Sequence, residues 1–291
     1  MPVGALFRAM RPRQWPKNLL VFAAPLAAGD LFVPQVLWPT LLSFLAFILA
    51  SSGTYLVNDA RDAESDRTHP EKSKRPVAAG EITTRTALSI GCLLMVSSVA
   101  LSFVAGWQLA VVVAVYLAVT LSYSFGLKNA PVLELGLLAA GFLLRAVAGG
   151  VASEIPVSPW FLIVAGFGSL SVAAGKRYAE LKADPEAARE RRSSLAGYTP
   201  EYLRFVWTAS TAVLITTYCL WVVEVGQPES SIPWALLSAI PFVLAVLRFG
   251  VDVDAGRTQA PEEALLSDRI LLGLAIAWLL FFTAGAFGLG G

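Results

Sequence analysis

The chain has 291 residues, 56% of them hydrophobic and 15% charged, which is more apolar side chain than a soluble domain of that length needs to fill a core. Its 22 Lys and Arg and 21 Asp and Glu nearly cancel, at +1, but they gather in a few clusters between long uncharged runs. No broad basic face exists for nucleic acid, and Cys92 and Cys219 lie in apolar runs without metal-ligand spacing, so composition argues against a nucleic-acid partner, a disulfide framework and a thiolate metal site.

From the amino terminus, Arg8, Arg11, Arg13 and Lys17 precede the first apolar run and read as a cytosolic anchor rather than a cleaved signal, because many further spans follow. A bilayer core takes roughly 20 residues of helix, and lipid cannot satisfy open backbone groups, so each long apolar run is predicted to be helical. Nine qualify, near 18–33, 36–57, 84–105, 107–126, 131–152, 157–175, 202–225, 232–250 and 268–288; the first is the shortest and is interrupted by Pro25. Trp15, Trp38, Trp107, Trp160 and Trp234 fall at span ends, where an amphipathic ring suits the headgroup layer. Every Lys and Arg except Arg145 lies at the amino terminus or within 58–85, 126–130, 176–204 and 248–269, while the alternate connections near 30, 106, 155 and 228 hold none. The positive-inside rule then gives an N-in, C-out orientation in the plasma membrane. The expected fold is all-α and polytopic, one transmembrane domain over 1–291, with cytosolic cap loops at 58–83 and 176–201. Both loops follow a helix, four spans apart, which hints at an internal duplication.

The second span ends in Thr54-Tyr55-Leu56-Val57-Asn58-Asp59-Ala60-Arg61-Asp62-Ala63-Glu64-Ser65-Asp66. If the helix continues, Thr54, Asn58, Asp62 and Asp66 form one polar stripe. Carboxylates at that spacing repel, and near hydrocarbon they are costly, so the stripe calls for a counter-cation. Oxygen donors of this kind suit Mg²⁺, which binds through one or two carboxylates together with substrate phosphates and water. The competing reading is a solvated acidic helix end neutralised by Arg61, Arg67 and Lys72, and the regular four-residue series weighs against it. Downstream, His69-Pro70-Glu71-Lys72-Ser73-Lys74-Arg75-Pro76 is a compact basic turn able to close on a phosphate; His69 reads as a loop residue rather than a ligand. Arg145 is the one cation deep within a predicted span, and its cost there requires a cavity or a partner, either the phosphate of a lipid or a neighbouring helix.

Asn58-Asp59-x-x-Asp62-x-x-x-Asp66 followed by Arg75-Pro76, in a nine-span chain, resembles the UbiA superfamily of intramembrane prenyltransferases over essentially the whole length. The resemblance implies a helical bundle around a central cavity, with Mg²⁺-bound diphosphate held by Asn58, Asp62 and Asp66 under a cytosolic cap. Asp59 and Asp62 become the catalytic carboxylates, and Lys17, Lys72, Lys74 and Arg75 phosphate contacts. Tyr123 and Lys128 resemble the family's YxxxK element with one extra intervening residue. Where most members carry a second aspartate-rich motif, this chain reads Gly175-Lys176-Arg177-Tyr178-Ala179-Glu180-Leu181-Lys182-Ala183-Asp184. Glu180 and Asp184 keep the spacing, but Lys176, Arg177, Tyr178 and Lys182 have joined them. A more cationic pocket suits a more anionic substrate such as phosphoribosyl pyrophosphate, with its additional 5-phosphate. Together with Arg11-Pro12-Arg13-Gln14-Trp15-Pro16-Lys17-Asn18, this departure resembles the branch of the superfamily that moves a 5-phosphoribosyl group onto a long polyprenyl phosphate for actinobacterial cell-wall synthesis.

The partners expected are therefore phosphoribosyl pyrophosphate, a polyprenyl phosphate lipid and the membrane; a homo-oligomer is admitted but not required. Two other readings stay open. One is transfer of a prenyl group to an aromatic acceptor, which would use the same Asn58 motif. The other is a lipid-phosphate transporter, against which the exported side argues, since its only ionisable residues are Asp30, Glu154, Glu224 and Glu229.

Overall fold

The structure is a computed structural model that describes residues 3–68, 72–224, 232–256, 264 and 267–288. Short α1 (Val3–Ala9) leads through a 3₁₀ arm, Pro12–Phe22, to α2 (Ala23–Ala27). Then come α3 (Pro34–Arg61), α4 (Ala63–Arg67), α5 (Thr84–Ala105), α6 (Trp107–Ser124), α7 (Leu133–Ala152), α8 (Pro159–Ala183), α9 (Pro185–Arg191), α10 (Pro200–Glu224), α11 (Trp234–Asp254) and α12 (Arg269–Ala286). No strand occurs among the described residues. Eight of these helices, α3, α5 to α8 and α10 to α12, are long and apolar enough to cross a membrane.

The second to ninth predicted spans correspond to those eight helices, whereas the first, 18–33, is a 3₁₀ turn and a short α-helix. Pro12, Pro16 and Pro25 explain the difference, because each removes an amide donor from the ladder that a continuous α-helix needs. The two expected cap loops are also largely helical. Helix α3 runs on to Arg61 and is followed by α4 and a 3₁₀ turn at Lys72–Lys74; α8 runs to Ala183 and is followed by α9 and a 3₁₀ turn at Ser193–Gly197. Side-chain caps start α5 and α9: the Thr83 hydroxyl accepts from the Thr86 amide on α5, and Asp184 from the Ala187 amide on α9.

The chain divides into two compact units, Met1–Pro25 with Val33–Ser124 and Leu144–Pro156, and Leu26–Phe32 with Phe125–Leu143 and Val157–Gly291. In the first, Phe47, Ala50, Leu109, Val113, Tyr116 and Ala148 form a buried core. A second cluster packs Ala5 and Ala9 of α1 against Leu56, Ala60 and Ala63. Helices α3 and α5 meet at Gly53 and Gly91, where a Cβ on Gly53 would lie 2.7 Å from the Gly91 carbonyl oxygen. In the second unit the core is Leu135, Tyr178, Leu181, Leu195, Leu203 and Val253. Phe103 (61% exposed), Val96 (67%) and Leu280 (63%) are among many large apolar side chains facing outward, which water would penalise and lipid accepts. The protein is therefore membrane-embedded.

Candidate active site

At the end of α3 the helical hydrogen bonds continue through a bend. Asp62 has φ −88° and ψ 4°, yet its amide donates to the Asn58 carbonyl (2.9 Å) and the Asp66 amide to the Asp62 carbonyl (2.8 Å). The backbone linking Asn58, Asp62 and Asp66 thus keeps its i to i+4 hydrogen bonds across the break between α3 and α4. Asn58 and Asp62 are half-buried, while Asp59 (2% exposed) and Asp66 (3%) are almost wholly enclosed.

Two enclosed carboxylates require cations, since desolvation makes an uncompensated charge expensive. Arg75 bridges both, with Nη1 at 3.2 Å from Asp59 Oδ1 and 2.7 Å from Asp66 Oδ2. Arg11 adds Nη2 at 2.5 Å from Asp59 Oδ1 and stacks its guanidinium 4.8 Å from the centre of the Tyr55 ring. Lys72 Nζ stands 4.0 Å from Asp66 Oδ1. Arg61, expected among the neutralising cations, donates to the Ser124 carbonyl. Arg11 holds a left-handed backbone, φ 54° and ψ 62°, immediately before Pro12. That conformation is disfavoured for a non-glycine residue, and strain of this kind concentrates where function requires it.

Arg11 is thus a site residue that motif spacing alone did not assign; its only sequence signal is the basic, proline-rich run from Arg11 to Asn18. Lys17 lies half-buried in the arm, Lys74 is exposed in the basic turn, Tyr123 is half-buried on the last turn of α6, and Lys128 sits in the 3₁₀ turn Leu127–Asn129. His69 falls outside the described residues. Arg145 is buried and donates from Nε to Asn18 Oδ1 (2.8 Å) and from Nη2 to the Tyr116 hydroxyl (2.6 Å), so of its two expected environments the structure displays protein partners.

In the second unit the expected phosphate contacts are engaged with one another's neighbours. Arg177 is 2% exposed, and its guanidinium grips Glu134, Nε to Oε1 at 3.0 Å and Nη2 to Oε2 at 2.9 Å, while Nη1 reaches Glu180 at 3.2 Å. Expected on a substrate phosphate, the side chain stands in this structure as an interior counter-ion. Arg192 also reaches Glu180, at 3.4 Å. The Tyr178 hydroxyl donates to Asp254 Oδ1 (3.0 Å) and its ring stacks on Trp207; Lys182 donates to the Asp254 carbonyl oxygen (2.5 Å). Lys176 is half-buried beside them in sequence. Glu134 and Asp254 were not singled out from sequence, although a lone acid in the first turn of an apolar helix is a signal that Glu134 offers. The turn before Glu134 is strained, with β-branched Val132 at φ 68°, and its amide donates to the Tyr198 hydroxyl at 2.5 Å. Burial pushes the Tyr198 phenol above its ordinary range, so it stays protonated.

Among the described residues no three His, Cys, Asp or Glu side chains converge as a preformed metal cage. The donor set at the end of α3, an amide and carboxylates, fits a hard cation that arrives with phosphate oxygens and keeps waters, rather than one held by protein alone.

Residues 19–265 match the UbiA prenyltransferase family, and the chain belongs to that family. Within it, the chain is 46% identical to the decaprenyl-phosphate phosphoribosyltransferase of Corynebacterium glutamicum, over 94% of this chain and 84% of that protein. The protein of the same name from Mycolicibacterium smegmatis is also 46% identical, over 95% of this chain and 91% of the relative. The fold is similar to that of a UbiA homolog from Archaeoglobus fulgidus bound to GPP and Mg²⁺, with TM-score 0.71 and 18% identity over 97% of this chain and 99% of the other. A digeranylgeranylglyceryl phosphate synthase has TM-score 0.71 at 17% identity, over 99% of both chains.

Proposed function

We propose that this protein transfers the 5-phosphoribosyl group of phosphoribosyl pyrophosphate to a polyprenyl phosphate, decaprenyl phosphate in the relatives' case, and releases diphosphate. What carries the proposal is the likeness, along nearly the whole chain, to relatives named for that activity. The acidic end of α3 supplies the chemistry. Mg²⁺ held by Asn58, Asp62 and Asp66 would neutralise charge on the departing diphosphate. Arg75, Lys72 and Lys74 of the basic turn, with Arg11 and Lys17 of the arm, bind its oxygens. Asp59 or Asp62 stabilises positive charge growing on the ribose C1.

The acceptor needs little activation. A phosphate monoester is largely ionised at neutral pH and attacks C1 without a general base, so backside attack inverts C1. The site faces the cytosol of an N-in, C-out protein in the plasma membrane, and the product feeds cell-wall arabinan synthesis. Lys128 and Tyr123 are further contacts to anionic substrate, and Lys176 and Lys182 serve the 5-phosphate.

Purified protein given labelled phosphoribosyl pyrophosphate, polyprenyl phosphate and Mg²⁺ is expected to yield a labelled lipid and diphosphate in equal amounts. Prenylation of an aromatic acceptor with no ribosylated lipid would overturn the proposal.

A further inference from the structure

One face of α7 holds the amino-terminal arm in place. Arg145, 7% exposed, reaches Asn18 in the arm through Nε at 2.8 Å and Tyr116 on α6 through Nη2 at 2.6 Å, with its guanidinium 4.7 Å from the Tyr116 ring centre. Asn18, itself 1% exposed, also donates to Ser51 on α3 at 3.4 Å. Four residues further along α7, Gly149 lies so close beneath the Val21 carbonyl that any Cβ there would overlap the oxygen. Residues four apart share a helix face, so Arg145 and Gly149 form one docking strip for the arm.

The arm is a poor candidate to hold itself. It is a 3₁₀ helix of 11 residues, longer than that geometry usually persists, and its prolines withhold backbone donors. Residues Arg11 and Lys17 sit at its start and directly before Asn18. Arg11 is one of the two cations on Asp59, at 2.5 Å, beside Arg75. A planar guanidinium that donates along two edges can fix both arm and helix, which a single ammonium cannot.

We propose that Arg145 is a positioning residue for the anionic donor: through Asn18 it fixes the arm on α7 and so sets Arg11 and Lys17 at the acidic end of α3. The inference rests on the phosphoribosyl-transfer reading. It assigns Arg145 to the soluble substrate, although the side chain lies among membrane-spanning helices, and not to the phosphate of the lipid.

Three variants test it, Arg145→Ala, Asn18→Ala and Gly149→Ala, each purified in the same detergent as wild type. All three are expected to lower kcat/KM for phosphoribosyl pyrophosphate on the order of 10²-fold, as displacement of substrate-holding groups does, and to leave KM for polyprenyl phosphate unchanged. Each is also expected to expose the peptide bond after Lys17 to faster tryptic cleavage than wild type, a readout that needs no substrate. Gly149→Ala alters no charge, so a donor effect there cannot come from a lost phosphate contact. If Arg145→Ala does not fold, the other two carry the same expectations. A rise in the lipid KM with the donor KM unchanged, or wild-type trypsin protection in Asn18→Ala and Gly149→Ala, would overturn the assignment. Failure of the wild type to make any ribosylated lipid would instead strike the functional reading, and the tryptic comparison would still decide the role of the arm.

Discussion

The two units of this protein repeat one sequence of elements, a long helix, a short helix, a 3₁₀ turn and a second long helix, at α3 to α5 and again at α8 to α10. Each carries ionised groups in the last turns of its first long helix, Asp59 on α3 and Arg177 on α8, but they are solvated differently. In the first unit the cations are reachable, with the side chains of Arg11 and Arg75 28% and 27% exposed above enclosed acids. In the second unit the central pair is sealed on both sides, at 2% for Arg177 and 0% for Glu134. A partly exposed guanidinium can turn toward an incoming anion at modest cost, whereas a sealed one cannot leave its carboxylate without stranding two charges. The two units thus differ in how freely their guanidinium groups can meet an incoming anion.

Four experiments bear on that contrast, in order of expected effect. Chelation of Mg²⁺ is expected to abolish turnover while leaving the melting temperature in detergent unchanged, because the enclosed acids Asp59 and Asp66 already have cationic partners; a large drop in melting temperature would mean that the metal is structural. Asp62→Asn should reduce turnover on the order of 10²- to 10³-fold with the fold retained, as loss of electrostatic stabilisation does, measured as labelled lipid formed per unit of folded protein. In the second unit the loss should be of stability: Glu134→Ala removes the carboxylate that the Arg177 guanidinium grips and is expected to cost about 3 kcal/mol, seen as a lowered midpoint in denaturant. The smallest effect falls at the strained turn, where Tyr198→Phe removes the acceptor for the Val132 amide and should cost about 1 kcal/mol by the same measurement. Were Glu134→Ala to remove activity at unchanged stability, the division of labour between the units would be wrong.

Much of this was legible from residue order. Long uncharged runs fix eight of the helices, because lipid leaves the backbone no alternative, and the four-residue series from Asn58 to Asp66 survives the bend at Asp62. The division of 18–33 into a 3₁₀ stretch and a short α-helix was not legible, because hydropathy counts side chains and takes no account of the donors that proline lacks. The pairing of Arg177 was not legible for a different reason: its counter-ion Glu134 is 43 positions away, and nothing local marks a guanidinium as matched across the fold. Arg145 was recognisable as a buried charge in a span, while its attachment to Asn18, 127 positions earlier, required the assembled helices.

The glycine contact between α3 and α5 has a consequence for how such a protein tolerates substitution. A Cβ at Gly91 would lie 2.9 Å from Val57 and 3.0 Å from the Gly53 carbonyl oxygen, so even alanine would wedge apart the hairpin that carries the acidic motif. In a saturation library, positions 53 and 91 should accept almost nothing, while Leu93 and Val96 on the outer face of the same helix should accept nearly any oily residue. Two positions with no side chain at all would then be the least replaceable in the hairpin.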